Sequence, residues 1–129
     1  MATKEALKTS QELYGAAHNR NGKANAFRHA YWNFVLCKKT LKFTKNVQKS
    51  VIWTKKVVDF YEKVTKNEIL DTKMDLQNNA FGRNHFTTHF NKKEAEIVSF
   101  FQNSAQKAQK VTKIEEIDLI KNQLVYISE

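Results

Sequence analysis

An imidazole, a guanidinium and a carboxamide sit in this chain where oily side chains would be expected. Arg28, His29 and Asn33 lie within residues 25–37, Asn-Ala-Phe-Arg-His-Ala-Tyr-Trp-Asn-Phe-Val-Leu-Cys, a stretch without Gly or Pro. Read as a helix, its apolar side chains form no stripe. Phe27, Ala30 and Phe34 point one way, Tyr31 and Val35 another, Trp32 and Leu36 a third. A helix that is apolar all round is a buried helix. Burying its three polar groups without partners would cost about 1–3 kcal/mol each. Either the rest of the chain supplies those partners, or the groups line a cleft.

A second stretch offers the partners. Asp75, Asn78, Asn79, Gly82 and Arg83 are spaced i, i+3, i+4, i+7 and i+8, so they share one helix face. Met74, Leu76, Ala80 and Phe81 border that face, whereas a solvated stripe would be bordered by polar residues. Packing the two stretches together brings Arg28 toward Asp75 and lets His29 be oriented by Asp75, Glu62 or Asn79. An imidazole held by a carboxylate serves as a general base or a metal ligand. A neighbouring Arg can hold a phosphate or a developing oxyanion. The same residues also suit a buried polar network that fixes helix register and does no chemistry.

Other chemical groups carry weaker signals. His18 and Asn19 precede the central helix, whose N-terminal end attracts anions; a solvated loop is the plain alternative. His85 and His89 are spaced to chelate a metal, but no Glu stands between them as the zinc-protease helix requires. Packing beside Phe86 and Phe90 accounts for them more simply. Cys37, a lone thiol, excludes an internal disulfide and a multi-Cys zinc site, and reads as a small core residue. The chain has no Gly-rich phosphate loop, nucleophile elbow, zinc finger or helix-turn-helix signature. These absences argue against an ATPase, a serine hydrolase and a standard DNA reader.

The elements that must position these residues follow from periodicity. A first amphipathic helix spans 3–16 and a loop 18–23. The central helix runs from an Asn25 cap to about 43. A third helix, 46–67, has an apolar side of Val47, Val51, Val57, Val58, Tyr61 and Val64, widened by Trp53 and Phe60. A fourth spans about 72–90, with Lys73, Gln77 and Asn84 outward. Gly82 in mid-helix costs about 1 kcal/mol against Ala, which the close approach of another helix or a ligand would explain. A fifth covers 92–110. The tail suits a helix to Ile120 and then either an extended segment or a short hairpin turning at Asn122. The expected fold is all-α: a compact bundle of about five helices around a buried central helix.

The 129 residues suit one domain with one core. Met1–Leu7 lacks the apolar run of a signal peptide, and no stretch is long enough to span a bilayer. Lys and Arg number 22 against 13 acidic residues, a net charge of +9. Arg20, Arg28 and Arg83 are the only arginines, two of them inside the unusual motifs, where a rigid five-donor fork is useful. The lysines form a coat that attracts anionic polymers or membranes, or simply confers solubility.

His18-Asn19, then Asn-Ala-Phe-Arg-His-Ala-Tyr-Trp-Asn at 25–33, then Met-Asp-Leu-Gln-Asn-Asn-Ala-Phe-Gly-Arg at 74–83 resemble an uncharacterised bacterial domain family. That family occurs at the C-terminal ends of Rhs-type, wall-associated and other polymorphic toxins. The similarity covers about residues 10–85. It carries over to His18, Asn19, Arg28, His29, Asp75, Asn78, Asn79, Gly82 and Arg83. Three positions depart: Asn25 replaces Asp, and Tyr61 and Gln77 replace His, so two of the family's imidazoles are missing. A carboxylate-led divalent-metal site and a metal-free acid–base mechanism both stay open. The resemblance implies that residues 1–129 are one toxin-like effector domain. It would be secreted as part of a larger protein, act inside a target bacterium and be neutralised by an acidic immunity protein. The expected activity is phosphodiester hydrolysis, on nucleic acid first and phospholipid second, with a non-enzymatic binding module as the remaining alternative. His29, Arg28, Asp75 and Glu62 are the expected catalytic residues, with His29 and Asp75 as the candidate metal ligands. His18, Asn19, Asn78, Asn79 and Arg83 would bind substrate.

Overall fold

The computed structural model describes residues 2–19, 21–65 and 68–128, leaving aside the side chains of Ala2 and Asn19. α1 is Ala2–Tyr14, and Gly15 takes a left-handed conformation (φ 59°) that ends it and opens a 3-10 turn, Gly15–Asn19. α2, Lys23–Thr44, is the central helix, and α3 is Val47–Thr65. α4 is Ile69–His89, α5 is Glu94–Gln106 and α6 is Ile114–Leu119. Two short strands, β1 (Gln109–Lys110) and β2 (Val125–Tyr126), complete the all-α bundle.

α2 is buried as its composition requires: Phe27, Ala30, Tyr31, Phe34 and Cys37 are all at most 3% exposed. Phe34 meets Phe86 and Phe101 edge-on, with ring centroids 5.2 and 5.5 Å apart. Each such aromatic adds roughly 1.5–3 kcal/mol by leaving water. The helix begins earlier than expected. Gly22 occupies the N-cap position, and Asn25, one turn in, instead donates its Nδ2 to the His18 carbonyl at 2.9 Å. Asn25 therefore ties the 3-10 turn to α2 and does not cap it.

α4 crosses α2 at Gly82. A Cβ at that position would run into the Ala30 carbonyl of α2. The glycine thus permits backbone contact between the two helices, and Asp75, Asn78, Asn79 and Arg83 are buried with it. The opposite side of α4 is not left to solvent. Gln77 Nε2 donates to the carbonyls of Ile120 and Gln123 at 3.2 and 3.3 Å, and Lys73 pairs with Asp118. Of the three residues expected outward, only Asn84 is exposed.

α3 reverses the expectation from hydrophobicity. Its buried residues are Ser50, Thr54, Val58 and Glu62, one per turn. Trp53, Val57, Phe60, Tyr61 and Val64 are exposed instead, while Val47 and Val51 pack partly against the core. The physical reason lies in α2: small hydroxyl residues let α3 approach closely, and a carboxylate is what an Arg-His face accepts.

The tail forms no hairpin. Asn122 turns the chain (φ 52°), and β2 then lies parallel to β1, with α6 as the crossover. Asn78 secures it, donating Nδ2 to the Val125 carbonyl and accepting the Val125 N–H, both at 2.9 Å.

Candidate functional site

α2, α3 and α4 each send one side chain to a common point. The ligand atoms of His29, Glu62 and Asp75 lie within 4.8 Å of one another, and all three residues are at most 5% exposed. His29 Nε2 is 3.3 Å from Asp75 Oδ1. The other ring nitrogen, Nδ1, is 3.0 Å from Asn79 Oδ1.

The ring's tautomer follows from a chain of obligate donors. Arg83, which can only donate, gives Nη1 to Asn33 Oδ1 at 2.8 Å. Asn33 Nδ2 therefore faces the other way, donating to the His29 carbonyl at 2.9 Å and to Asn79 Oδ1 at 2.8 Å. Asn79 Oδ1 is then an acceptor, so His29 carries a proton on Nδ1. Nε2 is thereby turned toward the two carboxylates. A ligating His is usually held in this way, through its second nitrogen.

Arg28 adds positive charge at the same place. Burial lowers its pKa, while the charges of Asp75, Tyr61 and Glu62 act the other way. Its Nη1 stands 3.5 Å from His18 Nδ1, and His18 Nε2 is 3.0 Å from Gln11 Oε1. Because Arg only donates, His18 is neutral with its proton on Nε2, donating to Gln11. Burial, and then the Arg28 charge, hold the His18 imidazole below its usual pKa.

The cluster has an opening. A cleft of about 170 Å³ has Arg28, His29 and Glu62 among its lining, with Leu7, Trp32 and Tyr61 also in its wall. Tyr61, half exposed, meets Trp32 edge-on at 5.6 Å, and Trp32 Nε1 donates to the Thr3 hydroxyl at 3.1 Å. Asp75 is buried beside the cleft without bordering it.

The structure thus unites His29, Glu62, Asp75 and Arg28, the four residues expected to be catalytic. The residues expected to bind substrate are placed otherwise. Asn79 and Arg83 belong to the relay that orients His29, His18 braces Arg28, and Asn78 holds the tail. The side chain of Asn19 lies outside the described residues. Gln77 reaches the tail from the opposite side of α4 and takes no part in the cluster. Tyr61 stands at the cleft. His85 and His89 form no chelate. His85 Nε2 bonds Asn122 Oδ1 at 2.9 Å, His89 Nδ1 bonds Thr88 Oγ1 at 2.8 Å, and both rings pack on Phe100. Cys37 is fully buried, and burial pushes its thiol up to about 11, as suits a core residue.

Sequence reasoning missed Asn33 as the link between Arg83 and His29. Its spacing, four residues after His29 on the same face, is the signal that could have found it.

Residues 1–109 match a family described as a domain of unknown function (DUF6973). No curated protein and no solved structure matches the chain.

Proposed function

The chain belongs to the DUF6973 family, and from its site we propose a phosphodiester hydrolase that uses a divalent cation, serving as a toxin-like antibacterial effector. One observation carries the reading. An imidazole oriented through Nδ1, with Nε2 turned to two carboxylates, converges with them beside the half-buried Arg28 guanidinium at the wall of a cleft. One nitrogen and two oxygen donors suit zinc, manganese or iron. His29, Glu62 and Asp75 would hold the cation, which when bound would supply an acidified water and a Lewis acid for a phosphoryl oxygen. Arg28 takes the phosphate's charge. Asn79 fixes the ring so that Nε2 faces Asp75 and Glu62.

The effector role rests on the resemblance to polymorphic toxin tips and on the net charge of +9. That charge suits an anionic substrate and an acidic immunity protein as inhibitor. Delivery within a larger secreted protein, with action inside the target cell, is part of the same reading.

The test treats purified protein with a chelator, then adds Zn²⁺, Mn²⁺ or Mg²⁺ and offers DNA, RNA, phosphatidylglycerol vesicles and bis(p-nitrophenyl) phosphate. The expected result is cleavage of at least one, restored by a cation and absent in His29→Ala. No cleavage under any cation, with wild type and His29→Ala equally harmless when expressed in bacteria, would reject the reading.

A further inference from the structure

The outward face of α3 is apolar and rimmed by cations. Trp53, Val57, Phe60 and Val64, spaced i, i+4, i+7 and i+11, share that face and are 50%, 41%, 66% and 62% exposed. Phe43, at the end of α2, is 87% exposed. It joins Trp53 across an apolar groove of about 470 Å³ that Leu36 and Thr40 also line. Single exposed apolar residues are ordinary, but a continuous patch marks an interaction surface. Lys49, Lys56 and Lys63, seven residues apart and exposed, run alongside the stripe, and Lys42 and Lys45 flank Phe43. The nearest acidic residue on the helix, Asp59, is half-buried and paired with Lys55. Aromatic and aliphatic side chains beside a lysine row are what an anionic bilayer surface binds. Among the described residues no helix is long and apolar enough to cross a membrane, so contact would be from the surface. Thr3 is a wall of both the groove and the cleft at His29, which makes the two openings neighbours.

We infer that α3 docks on an anionic phospholipid bilayer. Trp53, Val57, Phe60 and Val64 lie in the interface, the lysines meet the headgroups, and the Phe43–Trp53 groove receives an acyl chain. The docking stands on the surface alone. That the lipid's phosphodiester is the substrate rests on the hydrolase reading above.

The experiment sediments the protein with extruded vesicles of phosphatidylcholine, with and without phosphatidylglycerol, and follows Trp emission with brominated acyl chains as quencher. Wild type is expected to bind anionic vesicles about tenfold or more above neutral ones, with blue-shifted, quenched emission. Phe60→Ser/Val64→Ser is expected to lose about tenfold or more of that binding while hydrolysing soluble bis(p-nitrophenyl) phosphate at the wild-type rate. His29→Ala should bind vesicles as wild type does, so a failed enzyme reading and a failed docking reading are told apart. Docking is overturned by vesicle binding that ignores Phe60→Ser/Val64→Ser, by unshifted emission, or by no binding at all. It is equally overturned by a dimer in the ultracentrifuge that the double variant splits, or by tight DNA binding with no vesicle binding.

Discussion

The two edges of the His29 ring face different surroundings. At Nδ1 the neighbours are amides in a fixed order, Asn79 then Asn33, ending on the donor-only Arg83. At Nε2 they are carboxylates, Asp75 and Glu62, with Arg28 near them and a cleft alongside. The first edge allows one pattern of protons. The second can gain or lose one, or hold a cation. The contrast separates what orients the ring from what the ring can do, and it gives each residue around it a distinct consequence when changed.

The largest expected effect tests the Nε2 edge. His29→Ala should lower hydrolysis about 10²–10⁴-fold with a smaller change in melting temperature. A large melting shift with unchanged turnover would make both edges structural. Next comes the helix crossing beneath both edges. Gly82→Ala pushes a methyl against the Ala30 carbonyl and should cost about 3 kcal/mol, read as a lowered urea midpoint. Arg83→Met tests the Nδ1 edge alone. It leaves the Asn33 oxygen without its donor, at about 1–3 kcal/mol, and frees the amides to flip. Nitrogen NMR of the His29 ring should then show the Nδ1–H form losing its dominance.

The smallest effect concerns the brace behind Arg28. The folded pKa of His18 is depressed by burial and by Arg28. Its contribution is therefore complete above the unfolded value of about 6.5 and is lost as pH falls through the folded value. Protonation also removes the acceptor that faces Arg28. Stability followed from pH 7.5 downward should decline, and His18→Gln should flatten that decline.

Much of this was legible in the chain before its coordinates. The absence of an apolar stripe in residues 25–37 placed α2 at the centre. The i, i+3, i+4, i+7, i+8 spacing placed Asp75, Asn79, Gly82 and Arg83 against it. The inverted α3 was not legible, because hydrophobic patterning assumes that oily faces turn inward. The fourfold spacing of Ser50, Thr54, Val58 and Glu62 carried the opposite message, but only the polar face of α2 gives that spacing its meaning. Asn78 was drawn to the site by sharing a face with Asn79, yet one hundred degrees of helix turn sends it to Val125. The parallel pairing of β1 with β2 depends on that distant amide, and no local pattern announces it.

Gly82 and Ala30 have one more consequence. Where two helices touch backbone to backbone, their separation is set by atoms that have no rotamers and cannot give. Asp75 stands two turns from that contact on α4, and His29 adjoins it on α2, so the imidazole–carboxylate distance inherits the crossing's rigidity. Heating should leave this spacing intact until the helices part altogether. Catalytic rate should accordingly climb with temperature right up to the melting transition and collapse with it, with no earlier decline.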